Sequence, residues 1–108
     1  MRTLSLAEVA EQLGIGPTGV RDLVRSGRLL TVPGEDGRPV VPADQLDGDQ
    51  LVKHLGPVLT LLRDAGYDDE QALRWLGAAD DTLPGTPLQA LHENRATEVK
   101  RRAQALGF

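Results

Sequence analysis

The chain of 108 residues lacks cysteine and has only three aromatic residues, Tyr67, Trp75 and Phe108. Without cysteine, a disulfide framework, a thiolate nucleophile and a thiolate zinc site are all excluded. With so few aromatic rings, the core must be built from leucine, valine and alanine. No stretch approaches about 18 consecutive apolar residues, and the N-terminal sequence MRTLSLAEVAEQL has no apolar signal region. We therefore expect a soluble cytoplasmic protein with no membrane association.

The chain also lacks an excess of positive charge, because its net charge is −4 at pH 7. Proteins that coat nucleic acid without selectivity are usually basic, so the composition argues against that class. A local basic surface stays open, since exposed charges more than about 8 Å apart are largely screened at physiological salt. The length fits one ordinary domain or two very small ones, and it is too short for a full dinucleotide-binding fold.

The segment GIGPTG, which begins at Gly14, matches the dinucleotide-binding pattern G-x-G-x-x-G. That pattern needs a preceding strand and free backbone N–H groups at the start of the following helix. Here a helix is predicted before it, because Ser5 and Glu8 form a capping-box signature. Pro17 has no N–H to donate. We therefore interpret Gly14 as the end of one helix and Gly16 as the N-cap of the next, which gives a helix-turn-helix.

The second predicted helix, about residues 17–26, has two distinct faces. Apolar residues form one stripe. Arg21, Arg25 and Arg28 follow the spacing i, i+4 and i+7 on a second stripe, and Thr18 lies near it at the helix start. Guanidinium groups suit bidentate contacts with guanine and pairing with phosphate. The stripe therefore predicts a nucleic-acid contact, with an ordinary solvated face as the alternative.

Two short β-prone runs follow at 29–32 and 38–41, separated by the turn residues of 34–37. Pro33 and Pro39 cannot donate to a strand ladder, so we expect both runs at sheet edges in a small two-stranded ribbon.

The first half resembles the helix-turn-helix pattern, with small Ala10, Gly14 in the turn, and apolar Ile15, Val20 and Leu23. Together with the ribbon, it is similar to the winged helix-turn-helix of excisionase- and MerR-type DNA-binding proteins. The resemblance implies that the second helix enters the major groove of double-stranded DNA.

Five residues carry the predicted DNA contacts. Thr18, Arg21 and Arg25 are expected to read bases, while Arg28 and Arg38 are expected to hold phosphates. The wing departs from the family pattern, because its tip carries acidic Glu35 and Asp36 where basic residues are usual. Asp22 would repel phosphate if it faced the groove.

Apolar residues of the second half recur at helical spacing. They predict one helix face made by Leu51, Leu55, Val58, Leu59 and Leu62. Pro57 either bends this helix or marks its start.

Three more helices are predicted towards the C-terminus. Asp68 caps the first, Thr86–Pro87 begin the second, and the last spans about 97–106 with its end at Gly107–Phe108. We interpret Trp75, in the first of these helices, as a core residue, with a partner pocket as the alternative.

The charges of the second half are unevenly distributed. Acidic residues concentrate at 68–70 and 80–81, whereas Arg95, Lys100, Arg101 and Arg102 crowd the C-terminus. Cations there complement the dipole of the last helix. An auxiliary contact with DNA or an acidic partner is the alternative.

Patterns that carry catalysis or metal binding are absent from the sequence. The segment that begins at His92 fails the zinc pattern H-E-x-x-H, because residue 96 is alanine. His54 and His92 are more typical of surface or hydrogen-bonded histidines than of metal ligands. No serine lies in a G-x-S-x-G turn. We therefore predict neither an enzyme nor a metal or cofactor site.

The segment ALRWLGAADDTLPGTPLQAL is similar to the toxin-binding C-terminal domain of Xre/MbcA/ParS-type antitoxins. The whole chain more closely resembles a family of small actinobacterial winged-helix DNA-binding proteins, and TLPGTPLQALHENRATEVKRRAQALGF is the most specific part. This resemblance implies DNA binding. It also implies a membrane Ser/Thr kinase as a partner, because a mycobacterial member is a substrate of one. Such substrates are modified in a longer N-terminal tail, whereas here only Thr3 and Ser5 precede the first helix.

The sequence thus predicts a mainly α protein, with a winged helix-turn-helix at 1–47 and a small helical C-terminal domain at 48–108. The predicted function is sequence-specific binding of double-stranded DNA by a transcriptional regulator, which is cytoplasmic and associated with the nucleoid when bound to DNA. The alternative is an antitoxin-like interaction module whose C-terminal domain binds a partner protein. A homodimer through that domain also stays open.

Overall fold

The computed structural model describes residues 2–107, and the chain divides into two compact units, one up to Val52 and one from Lys53 onwards. The first unit extends beyond the segment 1–47 expected for the N-terminal domain, because a short hairpin that follows Gln45 belongs to it. Phe108, which we expected at the end of the last helix, lies outside the described residues.

Two helices joined by a tight turn dominate the first unit. Helix α1 spans Leu6–Leu13 and helix α2 spans Pro17–Arg25. Ser5 caps α1 as predicted: its hydroxyl accepts from the Glu8 N–H, and the Glu8 carboxylate accepts from the Ser5 N–H. The hydrogen bond from the Ser5 backbone N–H to the carboxylate, aided by the Ser5 hydroxyl, lowers the pKa of Glu8. Gly14 ends α1 with φ 68°, a left-handed conformation that glycine adopts at no steric cost.

The first unit also contains a three-stranded antiparallel sheet. Strand β1 is Thr3–Ser5, β2 is Val32–Pro33 and β3 is Pro39–Pro42, in the spatial order β1-β3-β2. The two-stranded wing is present as β2 and β3. The expected edge position of β3 is wrong, since Val40 pairs with both Ser5 and Val32. Prolines are tolerated in this central strand because they occupy its two ends.

A buried glutamine follows the sheet in a single 3₁₀ turn, Ala43–Gln45. The Gln45 side chain is 0% exposed. Its amide accepts from the Leu30 N–H at 2.9 Å and donates to the Leu30 carbonyl at 2.8 Å. Gln45 therefore satisfies both backbone groups of a buried residue in the segment between α2 and the wing, which fixes that segment.

The core of the first unit is aliphatic. It is formed by Leu4, Val9, Ala10, Val20, Leu29, Val41 and Leu46. A second hairpin closes it, made of β4 (Leu46–Asp47) and β5 (Gln50–Leu51). Leu51 lies in β5, so its predicted place on the following helix is wrong. Gly48, with φ 63°, turns the chain back before a helix can begin.

The second unit contains four helices: α3 Leu55–Asp64, α4 Asp69–Leu76, α5 Pro87–His92 and α6 Ala96–Ala105. Helix α3 packs on α6 and α4, and α5 packs on α4 and α6. Pro57 lies in the first turn of α3, where its missing N–H costs nothing, so it marks the helix start. Asp68 and Thr86 cap α4 and α5 as predicted.

Trp75 is not a core residue, contrary to the sequence interpretation. The inward positions of α4 are taken by Ala72 and Leu76, which are spaced by one helical turn. Trp75 precedes Leu76 and lies at the flank of that face, where it is only partly buried.

Replacement of Gln45 tests its two hydrogen bonds to the Leu30 backbone. Gln45→Met keeps the side-chain volume similar but leaves the buried N–H and C=O of Leu30 unpaired. We expect the free energy of unfolding of the first unit to fall by roughly 2–5 kcal/mol in a denaturant titration. Gln50→Met, at an exposed position of β5, should change it by less than about 0.5 kcal/mol. Equal effects of the two substitutions would contradict this role.

Candidate nucleic-acid interface

Helix α2 buries one face and exposes the other. Val20 is 0% exposed, and Leu23 and Val24 pack against the same core. Three of the predicted contact residues, Thr18, Arg21 and Arg25, are exposed on the opposite side. Burial of the apolar stripe therefore forces these polar side chains towards the solvent, as the helical spacing predicts.

The start of α2 suits close approach to another molecule. Gly16 is the N-cap and makes no side-chain cap, and Pro17 occupies the first turn. Residues 14–18 are all exposed. Because α1 precedes this segment and Pro17 has no N–H, the structure does not provide the strand and the donors of a dinucleotide site.

Asp22 also lies on the exposed face of α2. Its carboxylate pairs with the Arg25 guanidinium at 3.1 Å, and the two side chains are 56% and 76% exposed. The Arg21 side chain makes no ion pair or hydrogen bond within residues 2–107. Asp22 is adjacent to Arg21 in the sequence, but its pair with Arg25 was not predicted, although the i, i+3 spacing is a signal for it.

Arg28 does not continue the helical stripe, because α2 ends at Arg25. The backbone N–H of Arg28 donates to the Leu23 carbonyl and that of Gly27 to the Val24 carbonyl, with Gly27 at φ 74°. These bonds form a Schellman motif that turns the chain away from the helix axis. The Arg28 Nε donates to the Ser26 hydroxyl at 3.1 Å, which holds the guanidinium near the end of α2.

Arg38 lies at the base of the wing turn, apart from the helix. Its backbone N–H donates to the Asp36 carboxylate at 3.0 Å, and its guanidinium lies 3.8 Å from the same carboxylate. Both side chains are largely exposed. Gly34 allows this turn, since a Cβ there would lie 2.9 Å from the Arg38 carbonyl oxygen. The acidic tip thus neutralises part of the charge of Arg38.

Three of the four basic residues near the C-terminus, Arg95, Lys100 and Arg102, have partners within their own unit. Arg102 donates to the carbonyl and hydroxyl of Thr82, and Lys100 Nζ lies 3.0 Å from Nδ1 of His54. Arg95 pairs with Glu93 at 2.6 Å. Besides complementing the helix dipole or contacting a partner, as the sequence suggested, these cations connect the α6 region to neighbouring segments of the same unit.

Residues 2–107 provide neither a metal-binding cluster nor a membrane-spanning helix. These residues contain no group of three or more histidine, aspartate or glutamate side chains placed to hold a metal ion. Among the same residues, no helix has the length and apolar character needed to cross a membrane.

Two family models together match almost the whole chain. The model described as "DNA-binding protein Rv2175c, wHTH domain" matches residues 1–46, and the model described as "Rv2175c C-terminal domain of unknown function" matches residues 52–107. The chain belongs to the Rv2175c family. The winged-helix family that the sequence resembles is thereby confirmed.

Relatives of the Rv2175c family agree with the fold. DNA-binding protein Rv2175c of Mycobacterium tuberculosis is 36% identical, and the alignment covers 98% of this chain and 81% of that protein. The NMR structure of Rv2175c matches with a TM-score of 0.88 over 99% of this chain and 82% of the other. The shared architecture is a winged helix-turn-helix followed by a helical region. The resemblance to antitoxin domains stays a prediction.

Proposed function

We propose that this protein binds double-stranded DNA at specific sequences and regulates transcription, with α2 in the major groove. The observation that carries the proposal is the exposed face of α2, where Thr18, Arg21 and Arg25 stand opposite a buried apolar stripe. A major groove admits a single α-helix, and guanidinium groups read guanine edges. The name of the relative, a DNA-binding protein, supports the same function.

The five predicted residues divide into two roles. Thr18, Arg21 and Arg25 contact base edges, since they share the face of α2. Arg28 and Arg38 contact phosphates, since one lies past the helix end and the other on the wing. Their ion pairs and hydrogen bonds are exposed, and such pairs contribute only about 0–1 kcal/mol. A phosphate or base can therefore replace Asp22, Ser26 or Asp36 as partner at small cost.

The small proposed DNA interface bears on how many copies of the protein bind one site. One helix-turn-helix unit covers a single half-site, so we expect two copies on a palindromic duplex or a second anchor on the same DNA. If a Ser/Thr kinase modifies the chain, we expect Thr3 rather than Ser5 as its site, because Thr3 is exposed whereas the Ser5 hydroxyl already caps α1.

The base contacts are tested by the double substitution Arg21→Ala with Arg25→Ala. Duplexes selected from a random pool by the unchanged protein serve as the ligand. Each bidentate contact with guanine contributes about 1–3 kcal/mol, so we expect affinity for the selected duplex to fall by a factor of about 100 or more. The melting temperature should be nearly unchanged, because both side chains are exposed. Arg74→Ala with Lys53→Ala removes the same charge from exposed positions outside both groups of basic residues and should retain binding. Retained affinity in the first variant would contradict the proposal.

The phosphate contacts are tested by salt titration of Arg28→Ala and Arg38→Ala. Each phosphate contact contributes about −0.9 to the slope of log affinity against log salt concentration. We expect each variant to lose about that much slope and to weaken on all duplexes alike. An unchanged slope, or a loss of affinity confined to the selected duplex, would show that the residue does not contact a phosphate.

Asp22 is expected to limit non-specific binding. Its carboxylate repels phosphate and holds the guanidinium of Arg25. We expect Asp22→Asn to raise the affinity for unrelated duplexes and to lower the ratio of specific to non-specific binding, measured by fluorescence anisotropy. Glu11→Gln, which removes one charge from an exposed position of α1, should leave the ratio close to that of the unchanged protein. A fall in non-specific affinity for Asp22→Asn would contradict this role.

A further inference from the structure

The partly exposed Trp75 lines two open cavities of the second unit. One, of about 340 Å³, is also lined by Tyr67, Gln71, Arg74 and Ala78. The other, of about 420 Å³, lies between the end of α4 and the start of α5 and is also lined by Ala78, Ala79, Asp80, Asp81 and Pro87. We call Trp75 and these two cavities the Trp75 surface. Tryptophan, with its apolar ring and its N–H donor, is enriched at protein interfaces.

The two carboxylates of the larger cavity differ in their partners. Asp80 accepts from the N–H and hydroxyl of Thr82 and lies 3.8 Å from the Arg102 guanidinium. These contacts lower the pKa of Asp80, the Thr82 hydroxyl first among them. The carboxylate of Asp81 is exposed and has no ion pair or hydrogen bond within residues 2–107. Asp81 is therefore the carboxylate that is available to a ligand.

We propose that the Trp75 surface binds a basic segment of a partner protein, with one arginine or lysine side chain across the indole ring and its charge at Asp81. An indole face attracts a cation within about 6 Å, and a carboxylate on the same cavity adds an ion pair. The smaller cavity continues the surface along α4, where Arg74 is paired with Glu70 at 3.2 Å. The occupant extends along α4 from the larger cavity.

Charge favours a basic protein segment over the other occupants. The second unit, residues 53–108, holds eight acidic and seven basic side chains, and five of the acids flank Trp75 in the sequence: Asp68, Asp69, Glu70, Asp80 and Asp81. A nucleic acid could stack a base on Trp75, but its phosphates would meet these carboxylates. The surface is distinct from the candidate DNA-binding face, because all of its residues belong to the second unit.

Trp75 is the single tryptophan of the chain, so its fluorescence reports on this surface directly. The full-length protein is titrated with a ten-residue peptide of alternating arginine and glycine. The control peptide has citrulline, which is uncharged and similar in shape, in place of arginine. We expect a saturable change of emission with the arginine peptide and a markedly weaker one with the citrulline peptide. No saturable change with the arginine peptide would overturn the proposal.

Matched variants distinguish binding of the peptide at this site from non-specific attraction of a basic peptide to an acidic protein. Asp81→Asn should weaken peptide binding by about threefold to fivefold. Asp69→Asn removes the same charge from a residue that lines neither cavity and should change binding by less than twofold. Trp75→Leu, measured by calorimetry after its helix content is checked, should weaken binding by about twofold to fivefold. Equal losses for the two aspartate variants would overturn the site.

Two further outcomes identify a different occupant. A change of tryptophan emission on protein dilution, with a matching change of mass in sedimentation, would make a second copy the occupant. Quenching by single-stranded DNA that exceeds the effect of the arginine peptide would indicate a nucleic acid. Either result would overturn the proposal. The double variant Arg21→Ala with Arg25→Ala should bind the peptide normally, so failure here is distinguishable from failure of the proposed DNA binding.

Discussion

The candidate DNA-binding face depends on burial of the apolar stripe of α2 against α1. Val20 is fully buried in the same cluster as Val9 and Ala10, and the small side chain of Ala10 permits close approach of the two helices. Gly14 sets the angle between them through its left-handed backbone. Once that stripe is buried, the position of every other side chain of α2 follows from the 3.6-residue period. The polar face is thus a consequence of core packing.

Local pairing moderates the positive charge of the proposed DNA contacts. Arg25 is paired with Asp22, Arg38 with Asp36, and Arg28 with the hydroxyl of Ser26, whereas Arg21 has no partner in the described part of the chain. Exposed pairs of this kind stabilise the fold little, so they are exchanged readily for a ligand. They also reduce attraction to phosphates that are not correctly placed. An acidic chain with such a face is suited to selective rather than general binding of DNA.

The second unit uses its charges differently. Arg102 and Lys100 connect α6 to Thr82 and His54, so cations that looked available in the sequence are engaged in internal contacts. Asp80 is engaged in the same way, which leaves Asp81 beside Trp75 without a partner among the described residues. The two units therefore present different surfaces, one with exposed arginines and one with a partly buried indole beside an exposed carboxylate.

Local patterns determined the helices, because caps and turns act within a few residues. Ser5, Gly14, Asp68 and Thr86 were predictable for that reason, as was the polar face of α2. Pairing between distant segments required the tertiary structure. Strand β1, the hairpin that holds Leu51 and the role of Gln45 have no local signal, since each depends on a partner brought close by folding. The same holds for Trp75, whose exposure was decided by which residues of α4 fitted against the other helices.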